Sequence, residues 1–157
     1  MHRDIKPSNI LVHNGVLKVA DFGLARQIFE EQRGSFEESV GTMITAAPQI
    51  LFHEEYTSKC DIYSLGVILY WMIYDKFPFE KPPKKEEFLH SQIDFPKSEF
   101  CTGRLEKILK EMLEYQEQNR IGWSELLNDE LFNHPVLQEH EEKVRMEYEK
   151  RERMKMR

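Results

Sequence analysis

Residues 1–23 read MHRDIKPSNILVHNGVLKVADFG. Chemistry-bearing side chains crowd this stretch: His2-Arg3-Asp4, then Lys6 and Asn9, and after two short apolar runs Asp21-Phe22-Gly23. Ile10-Leu11-Val12 and Val16-Leu17-Lys18-Val19 are β-prone. His13-Asn14-Gly15 between them is a turn signal, because Asn-Gly tolerates positive φ. A hairpin here would bring Asn9 and Asp21 to neighbouring strand ends, where both can reach one metal ion. Asn9 offers a neutral oxygen and Asp21 a charged one, hard ligands suited to magnesium. Asp4 can accept the proton of a hydroxyl, and Lys6 is a point cation two residues on. Gly23 lets the backbone turn sharply after Asp21.

The two sets resemble, in order and spacing, the catalytic loop H-R-D-L-x-x-x-N (with Ile5 in place of Leu) and the D-F-G metal loop of eukaryotic protein kinases. The resemblance implies phosphoryl transfer, a reaction that asks a protein mainly to position groups and neutralise charge. It makes Asp4 the base, Lys6 the contact to the transferring phosphate, and Asn9 and Asp21 the magnesium ligands. The cofactors it implies are ATP and Mg2+, with Leu11 under the adenine ring and His2 and Phe22 in a hydrophobic spine. The implied fold is mainly α: a protein-kinase-like C-terminal lobe with a short β-hairpin at the catalytic loop and the N-lobe absent. Residues 1–136 are expected to form that portion and residues 137–157 a charged helical tail.

The composition agrees with this reading. The chain has 157 residues, enough for one domain with a real core, and a formal net charge of -6. Such an acidic balance argues against a nucleic-acid surface. Cys60 and Cys101 make neither a metal nor a disulfide pattern. No apolar run reaches the length of a membrane span, and no signal peptide opens the chain. A cytoplasmic setting is expected.

Residues 24–45 are polar and irregular, and the resemblance makes them an activation segment. Arg3 and Arg26 match cations that hold a phosphorylated loop in the family, which makes Ser35 and Ser39 candidate phosphosites. Gly41-Thr42 opens a stretch similar to the substrate-facing loop of serine/threonine kinases, and Lys6 points the same way. The chain then departs from the family pattern Tyr-x-Ala-Pro-Glu: it reads Thr45-Ala46-Ala47-Pro48-Gln49. Gln49 replaces a glutamate that pairs with a buried arginine, matched here by Arg120. A glutamine keeps a hydrogen bond but loses the ion pair, and a buried guanidinium without its counter-charge is unfavourable.

Residues 57–75 are apolar almost all round from Ile62 on, the pattern of a buried central helix. Thr57 or Ser58 can cap it, and Asp61 matches a residue that hydrogen-bonds the catalytic-loop backbone. Leu105, Ile108, Leu109, Met112 and Leu113 have helical spacing, and Trp123 begins a further helix. In residues 138–157, Glu139–Lys143, Glu141–Arg145, Glu147–Arg151 and Glu149–Arg153 are favourable i,i+4 pairs, predicting a solvated helix. The six histidines are not clustered for metal binding.

The resemblance reaches only the second half of a kinase domain, since no G-x-G-x-x-G occurs and no strand upstream carries a lysine. The central helix is therefore expected to lack cover on one face, an apolar patch that invites a partner. Gln49, residues 56–64 and residues 119–123 are similar to divergent relatives of the autophagy-initiating kinases. Two functions follow. The first is a serine/threonine protein kinase acting on a protein substrate, present as a partial domain. The second is a catalytically inactive truncated kinase that binds substrates or a kinase partner through residues 41–52 and 76–100, with a regulatory protein as a further partner. The 157-residue chain alone is expected to have negligible kinase activity.

Overall fold

The computed structural model describes residues 1–26, 43–82, 84–90, 93–101, 103–132 and 135–155. Ser35, Ser39, Thr42 and His134 lie outside them. The fold is mainly helical with one two-stranded antiparallel sheet.

A short 3-10 turn, Pro7–Asn9, leads into β1 (Ile10–His13) and β2 (Val16–Val19). Asn14 and Gly15 both take positive φ, 52° and 77°, which is what a two-residue turn between twisted strands requires. The register pairs Ile10 with Val19 and His13 with Val16. Ala20 N–H donates to Asn9 O at 2.8 Å and carries the ladder one step further. Asn9 and Asp21 thus stand on adjacent strand ends.

The helices are α1 (Pro48–Leu51), α2 (Lys59–Tyr74), α3 (Lys85–His90), α4 (Gly103–Met112), α5 (Trp123–Leu127) and α6 (Pro135–Lys155). Helix α2 is the axis of the core: Ile62, Tyr63, Val67, Ile68 and Tyr70 are buried along it. Thr57, not Ser58, supplies the capping oxygen, accepting Lys59 N–H at 3.2 Å. Helix α4 packs against α2 through Ile108, Leu109 and Met112, its outer face carrying the Glu106–Lys110 pair. Gly66 permits this approach, because a Cβ there would meet Met112 Cβ at 3.0 Å. Of the expected bare face of α2, Leu65 and Leu69 pack partly buried against the core and Met72 is exposed.

Helix α6 differs in one respect from the solvated helix that its charge pattern predicts. Glu149 and Arg153 do pair, at 3.7 Å. Arg151, however, donates to Asn14 Oδ1 of the hairpin turn at 2.8 Å, and Val144, half-buried, lies beside Gly15. The hairpin tip offers acceptors and a side-chain-free surface that local charge spacing does not reveal. Among the described residues no helix is long and apolar enough to cross a membrane.

Candidate active site

The loop before the hairpin is tied down from beneath. Asp61, in the first turn of α2, accepts His2 N–H at 2.6 Å and Arg3 N–H at 2.8 Å. These bonds hold Arg3 at φ +73°, a conformation that an L side chain adopts only under constraint. His2 Nδ1 accepts Asp4 N–H at 3.3 Å, which leaves the hydrogen on Nε2, 3.0 Å from Ala20 O. The His2 ring therefore links the loop to the end of β2. On the other side, the His2 ring meets Phe22 edge-on at 5.0 Å.

Asp4, Lys6 and Asn9 come together directly. Asp4 Oδ2 lies 2.7 Å from Lys6 Nζ and 3.2 Å from Asn9 Nδ2, and Asn9 Nδ2 also donates to Asp4 O at 2.9 Å. Asp4 and Asn9 are buried while Lys6 is partly exposed. With its nitrogen committed to Asp4, the remaining polar atom of the Asn9 amide is an oxygen. Asp21 stands exposed beyond β2 at φ +63°, its Oδ1 accepting Gly23 N–H at 3.2 Å. Leu11 and Phe22 are exposed. Arg3 Nε donates to Leu24 O, and Met1 and Arg26 exchange backbone hydrogen bonds at 2.9 Å, so the segment after Asp21 is drawn back to the loop.

Gln49 and Arg120 form a separate network at the start of α2. Arg120 is 1% exposed. It donates to Gln49 Oε1 at 2.9 Å and to the backbone carbonyls of Glu114, Lys59 and Tyr115 at 3.0, 3.1 and 3.2 Å. Its guanidinium also lies over the Tyr63 ring at 5.0 Å. Burial pulls the Arg120 pKa down, and the charge of Glu117 is the largest opposing effect. Gln49 does what a carboxylate cannot, donating Nε2–H to Tyr115 O at 2.7 Å.

Residues 1–132 match the sequence profile of the family described as the protein kinase domain. The chain belongs to that family. Among curated relatives, serine/threonine-protein kinase ATG1 of Debaryomyces hansenii is 32% identical over 155 residues, covering 83% of this chain and 18% of the relative. Serine/threonine-protein kinase PSK2 of Saccharomyces cerevisiae is 36% identical over 131 residues, covering 82% and 11%. Dual specificity protein kinase Ttk of Danio rerio is 33% identical over 153 residues, covering 88% and 15%. The chain spans less than a fifth of the length of each of these three relatives.

Within this kinase relative, several supporting residues carry no signal in the sequence pattern. Tyr56 is buried and hydrogen-bonded to Arg3; burial pushes its pKa up and the Arg3 contact opposes that. Glu117 accepts Thr57 N–H with both oxygens, at 2.9 and 3.1 Å. Lys59 Nζ donates to Arg120 O at 2.5 Å. These contacts join segments about fifty to sixty positions apart, which no local pattern encodes.

Proposed function

We propose that this chain is the C-terminal lobe portion of a serine/threonine protein kinase, residues 1–136, followed by a charged helical tail, residues 137–157. The observation that carries the reading is the Asp4–Lys6–Asn9 contact on a loop pinned by Asp61, with Asp21 on the adjacent strand end.

In this reading Asp4 accepts the proton of a serine or threonine hydroxyl on a protein substrate. Lys6 moves between Asp4 and the transferring phosphoryl group. The Asn9 oxygen and the Asp21 carboxylate fit Mg2+, which takes a few protein oxygens and keeps its other positions for water and phosphate. Magnesium, when bound, would bring ATP and neutralise charge on its phosphates. Leu11 lies on the face that would meet adenine, and His2 with Phe22 would join a spine of side chains. Arg3 and Arg26 would hold a phosphorylated Ser35 or Ser39, with Thr42 in the substrate-facing loop. Gln49 and Arg120 keep the following segment in place without an ion pair. The two free, buried cysteines suit a cytoplasmic setting.

The test is phosphotransfer from labelled ATP to serine and threonine peptides by this chain completed with a kinase N-terminal lobe. Asp4→Ala should reduce turnover roughly 10²–10⁴-fold with little change in ATP affinity. Undiminished turnover would remove Asp4 from the chemistry. A second reading, a non-catalytic module that binds substrates or a kinase partner through the surface around residues 41–52 and 76–100, is favoured by the exposed apolar Met43 and Phe100 within it.

A further inference from the structure

A groove of about 790 Å³ lies on another part of the molecule, between the segment after α2, helix α3 and helix α4. Its walls are aromatic. Phe88 meets Phe79 at 4.8 Å and Tyr115 at 5.6 Å between ring centroids, and Phe95 closes the other side. The walls are also firmly built. The buried Tyr70 donates its hydroxyl to Asp94 O at 2.6 Å and packs edge-on against Phe95.

The charges on this groove are unequal. Among the described residues, Asp94, Glu106 and Glu114 line it together with Lys110, while Lys85, near Tyr115, is paired with Glu54 at 2.5 Å. Lys110 is already engaged, with its Nζ 2.5 Å from Glu106 Oε1 and 5.1 Å from the Phe95 ring centroid. Lys76 reaches Asp94 only at 3.8 Å, with both side chains more than half exposed, so it neutralises little. An aromatic cleft with surplus carboxylates is complementary to a segment that combines an apolar anchor with cationic neighbours, and arginine adds stacking on the ring faces.

We propose that this groove binds a short basic segment of a partner protein. An aromatic or large aliphatic side chain sits among Phe79, Phe88, Phe95 and Tyr115, and flanking arginines or lysines lie on Asp94 and Glu114. This binding is independent of phosphoryl transfer and stands or falls separately from it.

The experiment is fluorescence anisotropy of the full chain with dye-labelled peptides. The probe carries a central phenylalanine with two arginines on each side; one control replaces the phenylalanine by alanine and another the arginines by glutamates. The arginine–phenylalanine peptide should bind about tenfold more tightly than either control. The double variant Asp94→Asn, Glu114→Gln should lose about tenfold for that peptide and keep a melting curve close to wild type, because Asp94 is exposed and glutamine at the half-buried position 114 retains the oxygen that accepts Gln116 N–H. Raising salt from about 50 mM to about 300 mM should narrow the gap between wild type and variant. Equal binding of the glutamate peptide, unchanged affinity in the double variant, or a groove closed by a second copy of the chain in sedimentation would each overturn the proposal.

Discussion

In the loop that carries Asp4, His2, Asp4, Ile5 and Asn9 are all buried, whereas Leu11, Val12, Leu17 and Val19 in the adjoining hairpin leave 43–71% of their surface exposed. The two regions are consecutive in the chain and share the His2–Ala20 contact. They differ in what supports them. The loop rests on α2 through two short hydrogen bonds to one buried carboxylate. The hairpin is supported by its own ladder, its turn chemistry and contacts from α6 that include the Arg151–Asn14 hydrogen bond. The core of this polypeptide presets the Asp4 side of the candidate site, whereas the hairpin side presents apolar surface that the described residues do not cover.

That contrast can be broken from the buried end. Ile108 is fully buried between α4 and α2, so Ile108→Ala should cost about 2–5 kcal/mol in urea unfolding, through lost transfer energy and the cavity left behind. Asp61→Ala should come next, at about 2–4 kcal/mol, because it orphans the His2 and Arg3 amides. Hydrogen exchange should show protection lost first at residues 2–4, with the hairpin ladder retained. Equal loss at both would mean that the loop and hairpin form one unit.

A smaller, pH-dependent effect belongs to Asp129, buried and bonded to Arg104 Nε at 3.0 Å. The Arg104 guanidinium and the Leu131 N–H hold its carboxyl below the usual range. A depressed folded value stabilises the protein above the unfolded pKa of about 3.9, and that stabilisation is lost as pH falls through the folded value. Arg104→Met should therefore melt earlier than wild type at pH 6, and the gap should shrink as pH drops below about 4. The smallest effect should be at the exposed end, where Leu17→Thr should shift stability by no more than about 0.5 kcal/mol.

Much of this architecture is legible in the amino-acid sequence. Asn14-Gly15 between two β-prone runs locates the hairpin, and with it the adjacency of Asn9 and Asp21. The apolar run from Ile62 locates the central helix, and the spacing of Ile108, Leu109 and Met112 its partner. What stays hidden depends on tertiary approach. The bond from Asp61 to the loop backbone is expected from the resemblance and is present, but nothing local announces that Arg3 sits at positive φ or that Arg120 is satisfied by carbonyls and Tyr63 in place of a carboxylate. The expected Glu147–Arg151 pair illustrates the same limit: helical spacing brings the two residues to one face, but Arg151 instead donates to Asn14 of the hairpin turn.

In the proposed function, Asn9 of the buried loop and Asp21 beyond the exposed hairpin converge on one metal ion. The direct test is paramagnetic broadening of amide signals in the labelled chain titrated with Mn2+ as a stand-in for Mg2+. The account predicts that signals around Asn9 and Asp21 broaden together with a single affinity, and that Asp21→Asn removes the effect from both. Broadening of one loop alone, or of the two with independent affinities, would contradict it.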